Sequence, residues 1–357
     1  MDSEQNINTN SQPSQPDNNS IPPQPCASQP IKKRSGWRIF WGIFTGLSVL
    51  SNIVLLLAII GMGVLLSGEF GGLSSGEEEQ FTETVLISGS RTEKIAVISI
   101  IGIIEDEMAQ AVARQVQVAG KDPKVKAVIV KVDSPGGTVS ASDRINYELR
   151  KLRDEYNKPT VAFMQSVAAS GGYYSAVACD TLVAEPTAIT GSIGVIMETF
   201  VFQGLLEEKL GIKPVVLKSG EKKDWPNPFK PVTAEQEQYL QNKLIKPAYN
   251  RFVKVVTEGR KALSEEQVRT LADGSIYDSN EALSNNLIDD VGYFEKAVKI
   301  ARALGNAQNA QVVEYRKVFS LANWLSGRSN VALPSLDRKT LTEFSQPQLL
   351  YLWRVDQ

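Results

Sequence analysis

The chain has 357 residues, 42% of them hydrophobic, and a formal net charge of −2. That is enough apolar material for an ordinary buried core. No basic excess exists to neutralise phosphates, so nucleic acid is excluded as a partner. The sequence contains no histidine, which excludes Ser-His-Asp and Cys-His catalysis and every histidine-bearing zinc site. Any proton acceptor must be Lys, Asp, Glu, Tyr or a terminal amine. Two cysteines, Cys26 and Cys179, are too few for a disulfide framework or a Cys-rich metal site. No metal and no cofactor are expected.

In chain order, residues 1–31 are rich in Gln, Asn, Ser and Pro and read as a disordered tail. Lys32, Lys33, Arg34 and Arg38 follow, and then no charge until Glu69. Residues 37–66 are therefore expected to form one transmembrane signal-anchor helix. The run is too long, and too far from the N-terminus, for a cleavable signal peptide. With the basic cluster before it and Glu69 and Glu77–Glu79 after it, the N-terminus belongs in the cytoplasm and the rest outside the cell membrane. Residues 67–93, rich in Gly, Ser and Glu at their start, read as a linker.

A folded domain is expected over residues 94–304. Residues 95–104 (IAVISIIGII) and 125–132 (VKAVIVKV) are β-branched apolar runs and predict buried strands. Helices are predicted over residues 106–121 and 141–156, and a third strand over 160–164. Apolar strands alternating with helices predict a parallel sheet in an α/β fold, with ligands bound beyond the strand ends. Two glycine turns sit at such ends: Pro135-Gly136-Gly137 and Ser170-Gly171-Gly172. Further on, a helix is predicted over residues 201–210, a strand over 214–217, and helices over 233–260, 264–271 and 295–304. Ser264 with Gln267 is a capping-box pattern. Residues 305–357, ending in Tyr351-Leu352-Trp353, read as a C-terminal tail.

Ser170 is the candidate nucleophile. A serine at a sharp strand-to-helix turn exposes its hydroxyl, and neighbouring glycines admit a substrate backbone. The commoner use of such a string is a tight turn with an N-cap serine. A serine needs a base, and without histidine a lysine held neutral by burial can serve. The stretch Lys218–Asp224 (KSGEKKD) supplies candidate amines, Thr190 and Ser192 supply hydroxyls to orient one, and composition does not say which lysine acts.

The order DSPGG, SVAASGGYYSA, TGSIGV, KSGEKKD resembles the signal peptide peptidase A (protease IV) family in its short, single-repeat form. Those proteins are Ser–Lys peptidases of the ClpP/crotonase superfamily. The resemblance covers about residues 94–304. It implies a ClpP/crotonase-like spiral of repeated ββα and βαβ units behind the single transmembrane helix. It implies Ser170 as nucleophile, Lys223 as general base, Ser192 as the hydroxyl supporting that lysine, and Gly137 and Gly171 as oxyanion amides. Lys218 and Lys222 are then surface residues. It further implies a homo-oligomer whose active sites are shared between subunits. The implied substrates are remnant signal peptides and other peptides, with small or apolar residues near the cut. Asn285-Asn286 stands where the family has a glycine; asparagine also tolerates the left-handed conformation such a turn needs.

Two other functions share parts of this pattern. A crotonase-type acyl-CoA enzyme would use the same sheet and glycine amides, but its cofactor is cytoplasmic and no pair of glutamates flanks either glycine turn. A catalytically decayed membrane scaffold would not need to keep both Ser170 and Lys223.

Overall fold

The computed structural model describes residues 36–71, 81–317 and 348–353, with side chains of the first segment described as far as Gly61. The expected tail over 1–31, the basic residues Lys32–Arg34, Cys26 and the acidic run at 77–79 lie outside the described residues. The chain divides into two units, residues 1–78 and 79–357. In the first, α1 (Gly36–Gly71) is one helix. The most apolar 18-residue window of its stretch Gly36–Gly61 has a mean hydropathy of 2.4, and none of that window is buried against protein. Twenty-six residues at about 1.5 Å each exceed the roughly 30 Å of a bilayer's hydrocarbon core, so the helix fits a membrane anchor.

The second unit is built on period-two strands with both faces covered. β1 (Phe81–Ile87) and β2 (Ser90–Ile101) precede α2 (Asp106–Lys121), and β3 (Val125–Ser134) turns sharply into β4 (Gly136–Thr138) before α3 (Val139–Asp154). β5 (Thr160–Ala169) runs into the short α4 (Gly171–Ala176), then β6 (Thr181–Ala184), β7 (Ile189–Gly191) and β8 (Ile196–Glu198). α5 (Ala234–Leu240) and α6 (Lys246–Gly259) form a continuous helical rod through a π-helical turn at Gln241–Ile245. Last come α7 (Glu265–Leu271), β9 (Ile276–Asp278), α8 (Ser279–Ser284), β10 (Asp290–Val291), α9 (Phe294–Leu304), β11 (Ala310–Lys317) and β12 (Gln348–Leu352).

The main sheet runs β1-β11-β2-β3-β5-β6-β10, with β7 beside the end of β5 and β9 beside β7. β11, β2, β3, β5, β6 and β10 are parallel to their neighbours along that path; β1 is antiparallel. Alternate side chains enter opposite cores. Ile98, Ile100, Val128, Val130 and Val132 pack under α2, α3, α4 and α6. Ile95, Val97, Ala127 and Ile129 pack under α9. Strands buried on both faces need apolar residues at consecutive positions, which is what the runs at 95–100 and 125–132 provide. β4, β12 and β8 form a second, three-stranded sheet. This α/β architecture of turned ββα units agrees with the expected fold class.

The strands extend past both expected edges. Part of the expected linker is β1 and the start of β2, and part of the expected tail is β11, which pairs with both. The expected strand at 214–217 does not form. Val215 and Leu217 are exposed and no described strand pairs with them, and a strand without a partner gains no ladder. The expected helix at 201–210 shrinks to a π-helical turn at Leu205–Lys209.

Two local predictions hold in detail. Ser264 and Gln267 close a reciprocal capping box. Asn286 sits at φ 56° and ends α8, its turn closed by Leu287 N–H on the Ala282 carbonyl. That turn leads to Asp289, which takes both guanidinium arms of Arg260 at 2.8 Å while Arg260 Nε donates to the Asn286 carbonyl. Arg260 is only 6% exposed and Asp289 38%. Removing Asp289 strands a buried guanidinium, but water reaches the site. Asp289→Ala should therefore cost about 3 kcal/mol in urea unfolding, the low end for a broken buried pair. A loss within about 0.5 kcal/mol, as for surface positions, would show that Arg260 is solvated without it.

Candidate active site

Ser170 falls between β5 and α4 with φ 53° and ψ −113°. This is a conformation that L-residues avoid and glycine accepts. The surroundings hold it there. Its N–H donates to the Gly191 carbonyl at 2.8 Å, and its carbonyl accepts from Tyr174 N–H at 2.8 Å. All six residues of α4 are buried. A Cβ on Gly172 would lie 2.6 Å from the Ser134 carbonyl oxygen, and one on Gly171 would lie 2.5 Å from Ser142 Oγ. Glycine is required at both because the helix start presses directly on β3 and α3. The result is a serine at a strained strand-to-helix turn, a geometry suited to a nucleophile.

Ser170 lines a cavity of about 310 Å³ together with Ser192, Tyr249, Asp273 and Leu352. Ser192 also has positive φ, 50°, and its N–H donates to the Ser275 carbonyl at 2.7 Å. The structure thus brings Ser170 and Ser192 to one space. Thr190, the other candidate hydroxyl, is buried and donates to the Ala168 carbonyl at 2.7 Å, which ties it to β5.

Gly137 lies in β4, between a parallel bridge to Ile104 and the antiparallel neighbour Tyr351 of β12. A Cβ there would overlap the Ile104 carbonyl, so Gly137→Ala would unseat β4 rather than isolate one amide. Trp353 N–H donates to the Pro135 carbonyl at 2.8 Å. Hydrogen-bonded pairs recur every second residue, so Gly137 N–H faces the Tyr351 carbonyl. That same oxygen lies 3.0 Å from where a Cβ on Gly171 would be. Gly137 and Gly171, the two glycines proposed from the sequence as oxyanion amides, therefore both lie close to one peptide carbonyl, that of Tyr351.

Lys223 stands apart. It lies in a single turn of helix, Glu221–Asp224, with its side chain exposed and outside the cavity lining. Lys218 donates to Asp224 at 2.7 Å and to the Glu221 carbonyl at 2.8 Å. Its ammonium, with the Asn227 amide, holds the Asp224 carboxyl below the usual range. Lys222 lies 4.6 Å from the centre of the Tyr239 ring and 5.2 Å from that of Trp225. Neither is in the cavity lining. Among the described residues, no cluster of three or more Asp, Glu or Cys gathers to hold a metal.

Sequence reasoning misses β12. The aromatic end at 351–353 reads as tail, yet Tyr351 is fully buried beside both glycine turns. The only signal in the sequence is a cluster of large apolar side chains at the end of a polar stretch.

The model of "Peptidase family S49" matches residues 153–308. A protein of Enterococcus faecium named putative signal peptide peptidase SppA is 34% identical over 262 residues, covering 70% of this chain and 75% of its own length. Protease 4 of Haemophilus influenzae is 32% identical, covering 72% of this chain, which spans 41% of that longer protein. Among solved structures, a ClpP1 mutant from Listeria monocytogenes aligns at a TM-score of 0.39 with 17% identity, over 57% of this chain and 94% of that one.

The strain at Ser170 has a measurable consequence. Ser170→Gly relieves it and Ser170→Ala does not. The glycine variant should be more stable than the alanine variant by about 1 kcal/mol in thermal or urea unfolding. Equal stabilities would mean that the turn relaxes without a side chain to hold it.

Proposed function

Because the chain belongs to peptidase family S49 and is a serine peptidase, we propose that it is a membrane-anchored endopeptidase working through a Ser170–Lys223 dyad shared between subunits. The observation that carries this reading is the strained, cavity-lining Ser170 beside two close-packed glycine turns, in a chain whose Lys223 is exposed to solvent. Lys223 of a neighbouring copy would complete the site. Exposed apolar residues, among them Leu205, Leu210, Ile212, Val215, Val216 and Leu217, lie in the segment leading to Lys223, and an apolar run of that kind is suited to burial between copies.

In the proposed reaction the lysine amine takes the proton of Ser170 Oγ as the oxygen attacks the scissile carbonyl. The N–H groups of Gly137 and Gly171 receive the resulting oxyanion. The lysine returns the proton to the leaving amine, and water then hydrolyses the ester by the same route. Ser192 accepts a hydrogen bond from the lysine and orients it. The substrates proposed are remnant signal peptides and other peptides at the membrane. The basic residues before α1 favour a cytoplasmic N-terminus and an extracytoplasmic peptidase domain. Family membership leaves no place for the acyl-CoA alternative.

Chains carrying Ser170→Ala or Lys223→Ala should each be inactive on a peptide substrate. Dissociated and reassembled together, they should recover activity well above either alone, because some interfaces pair an intact serine with an intact lysine. Lys223→Arg should be as inactive as Lys223→Ala, since a guanidinium does not act as a base in the working range. No recovery in verified mixed oligomers would place both groups in one chain. Full activity of Lys223→Arg would remove Lys223 from the mechanism.

A further inference from the structure

The helix α1 carries one residue that a plain anchor does not need. Residues 39–68 hold no charge, and Asn52 stands near the middle of that run. At that depth in a bilayer its amide meets hydrocarbon, where an unsatisfied polar group is strongly unfavourable. α1 satisfies only part of it. Asn52 Nδ2 donates to the Ser48 carbonyl at 2.8 Å. The second amide hydrogen and Oδ1 meet no partner among the described residues, and the side chain is exposed. A polar side chain inside a span calls for a partner that can hydrogen-bond at the same depth.

Asn52 belongs to a stripe with alternating three- and four-residue spacing: Thr45, Ser48, Asn52, Leu55 and Ile59. That is the heptad spacing along which two helices meet in one seam. Thr45 and Ser48 are small enough to let backbones approach. The Thr45 hydroxyl is turned back onto the Trp41 carbonyl at 2.7 Å, so it makes no demand on a partner. Leu55 and Ile59 are 59% and 62% exposed and continue the seam as apolar surface. Gly42 and Gly46 form a second small-residue stripe. At about 100° per residue it lies roughly 80–120° round the helix from Asn52. The occupant whose chemistry fits is a second α1. Copies of one chain enter the membrane in the same direction, so Asn52 meets Asn52. Two such amides are self-complementary, each Nδ2 donating to the other's Oδ1.

We propose that α1 is an assembly element as well as an anchor: it pairs in parallel with α1 of a second copy along the Thr45–Ser48–Asn52–Leu55–Ile59 seam, with the two Asn52 amides bonded to each other at its centre. The proposal rests on α1 spanning the membrane. A single polar residue in an otherwise apolar seam also fixes register, because helices slipped by one turn leave both amides unpaired. Pairing inside the bilayer holds two copies together independently of any contact between their peptidase units. It raises the effective concentration at which the lysine of one copy meets the serine of the other.

The test uses the full chain in its native membrane, in a Cys26→Ser background; Cys179 is buried. Single cysteines are introduced on the seam by Ser48→Cys and Leu55→Cys. Leu50→Cys and Val54→Cys place them about 160° from Asn52 on the far side. After oxidation with copper phenanthroline, both seam variants should form disulfide-linked dimer about tenfold more than the far-side variants, since only facing residues come within disulfide reach. Assembly of the peptidase units alone would favour no face of α1. Adding Asn52→Leu, which inserts at least as well, should lower seam crosslinking about tenfold, and Asn52→Gln should keep most of it. Equal yield on all faces, the strongest yield at Leu50→Cys, or seam crosslinking untouched by Asn52→Leu overturns the proposal and leaves the anchor reading intact. A chain that alkaline carbonate washes off the membrane overturns both.

Discussion

Much of the site depends on one backbone conformation, that of Ser170. Its φ of 53° is unfavourable by itself and persists only because neighbouring elements leave no alternative. β7 supplies the Gly191 carbonyl that receives its N–H, α4 supplies the Tyr174 N–H that caps its carbonyl, and β3 and α3 crowd the two glycines that follow. Each of those elements is in turn fixed by the parallel sheet and its two cores. A chain with less buried apolar material on either face could not hold a strained residue at a strand end.

That constraint also explains why two glycine turns are needed. β4 must bend off β3 closely enough for Ile104 to bond on both sides of Gly137, through Gly136 O and Thr138 N. Gly136 turns with φ 104°, and the approach leaves no space for a Cβ at Gly137. The two turns then lie side by side, both close to the Tyr351 carbonyl. In the proposed reading the serine side of the site is complete within a chain, while the lysine side sits on an exposed turn and becomes part of a site only when copies assemble. Such a division would keep an unassembled peptidase inert.

The sheet and the turn at Ser170 are legible in the sequence because both rest on local signals. Consecutive β-branched residues at 125–132 specify a strand buried on both faces, Asn286 takes the left-handed turn its type tolerates, and Ser170-Gly171-Gly172 marks a sharp turn after a strand. The pairings that join distant segments are not legible. β11 completes the sheet against β1 and β2, yet residues 310–317 mix polar and apolar side chains and carry no sign of their partner. The apolar segment at 214–217 has strand composition and no described strand to pair with. β12 is hidden for the same reason: five residues become a strand only through β4 and β8, which lie far away in sequence.

The central claim is that Ser170 is a nucleophile activated by Lys223. It is tested most directly by reacting the assembled full-length protein with a fluorophosphonate and locating the adduct by peptide mass spectrometry. The account predicts a single adduct on Ser170 in the wild type, none in Ser170→Ala, and strongly reduced labelling of Ser170 in Lys223→Ala. Labelling of a different serine, or undiminished labelling of Ser170 without Lys223, would contradict it.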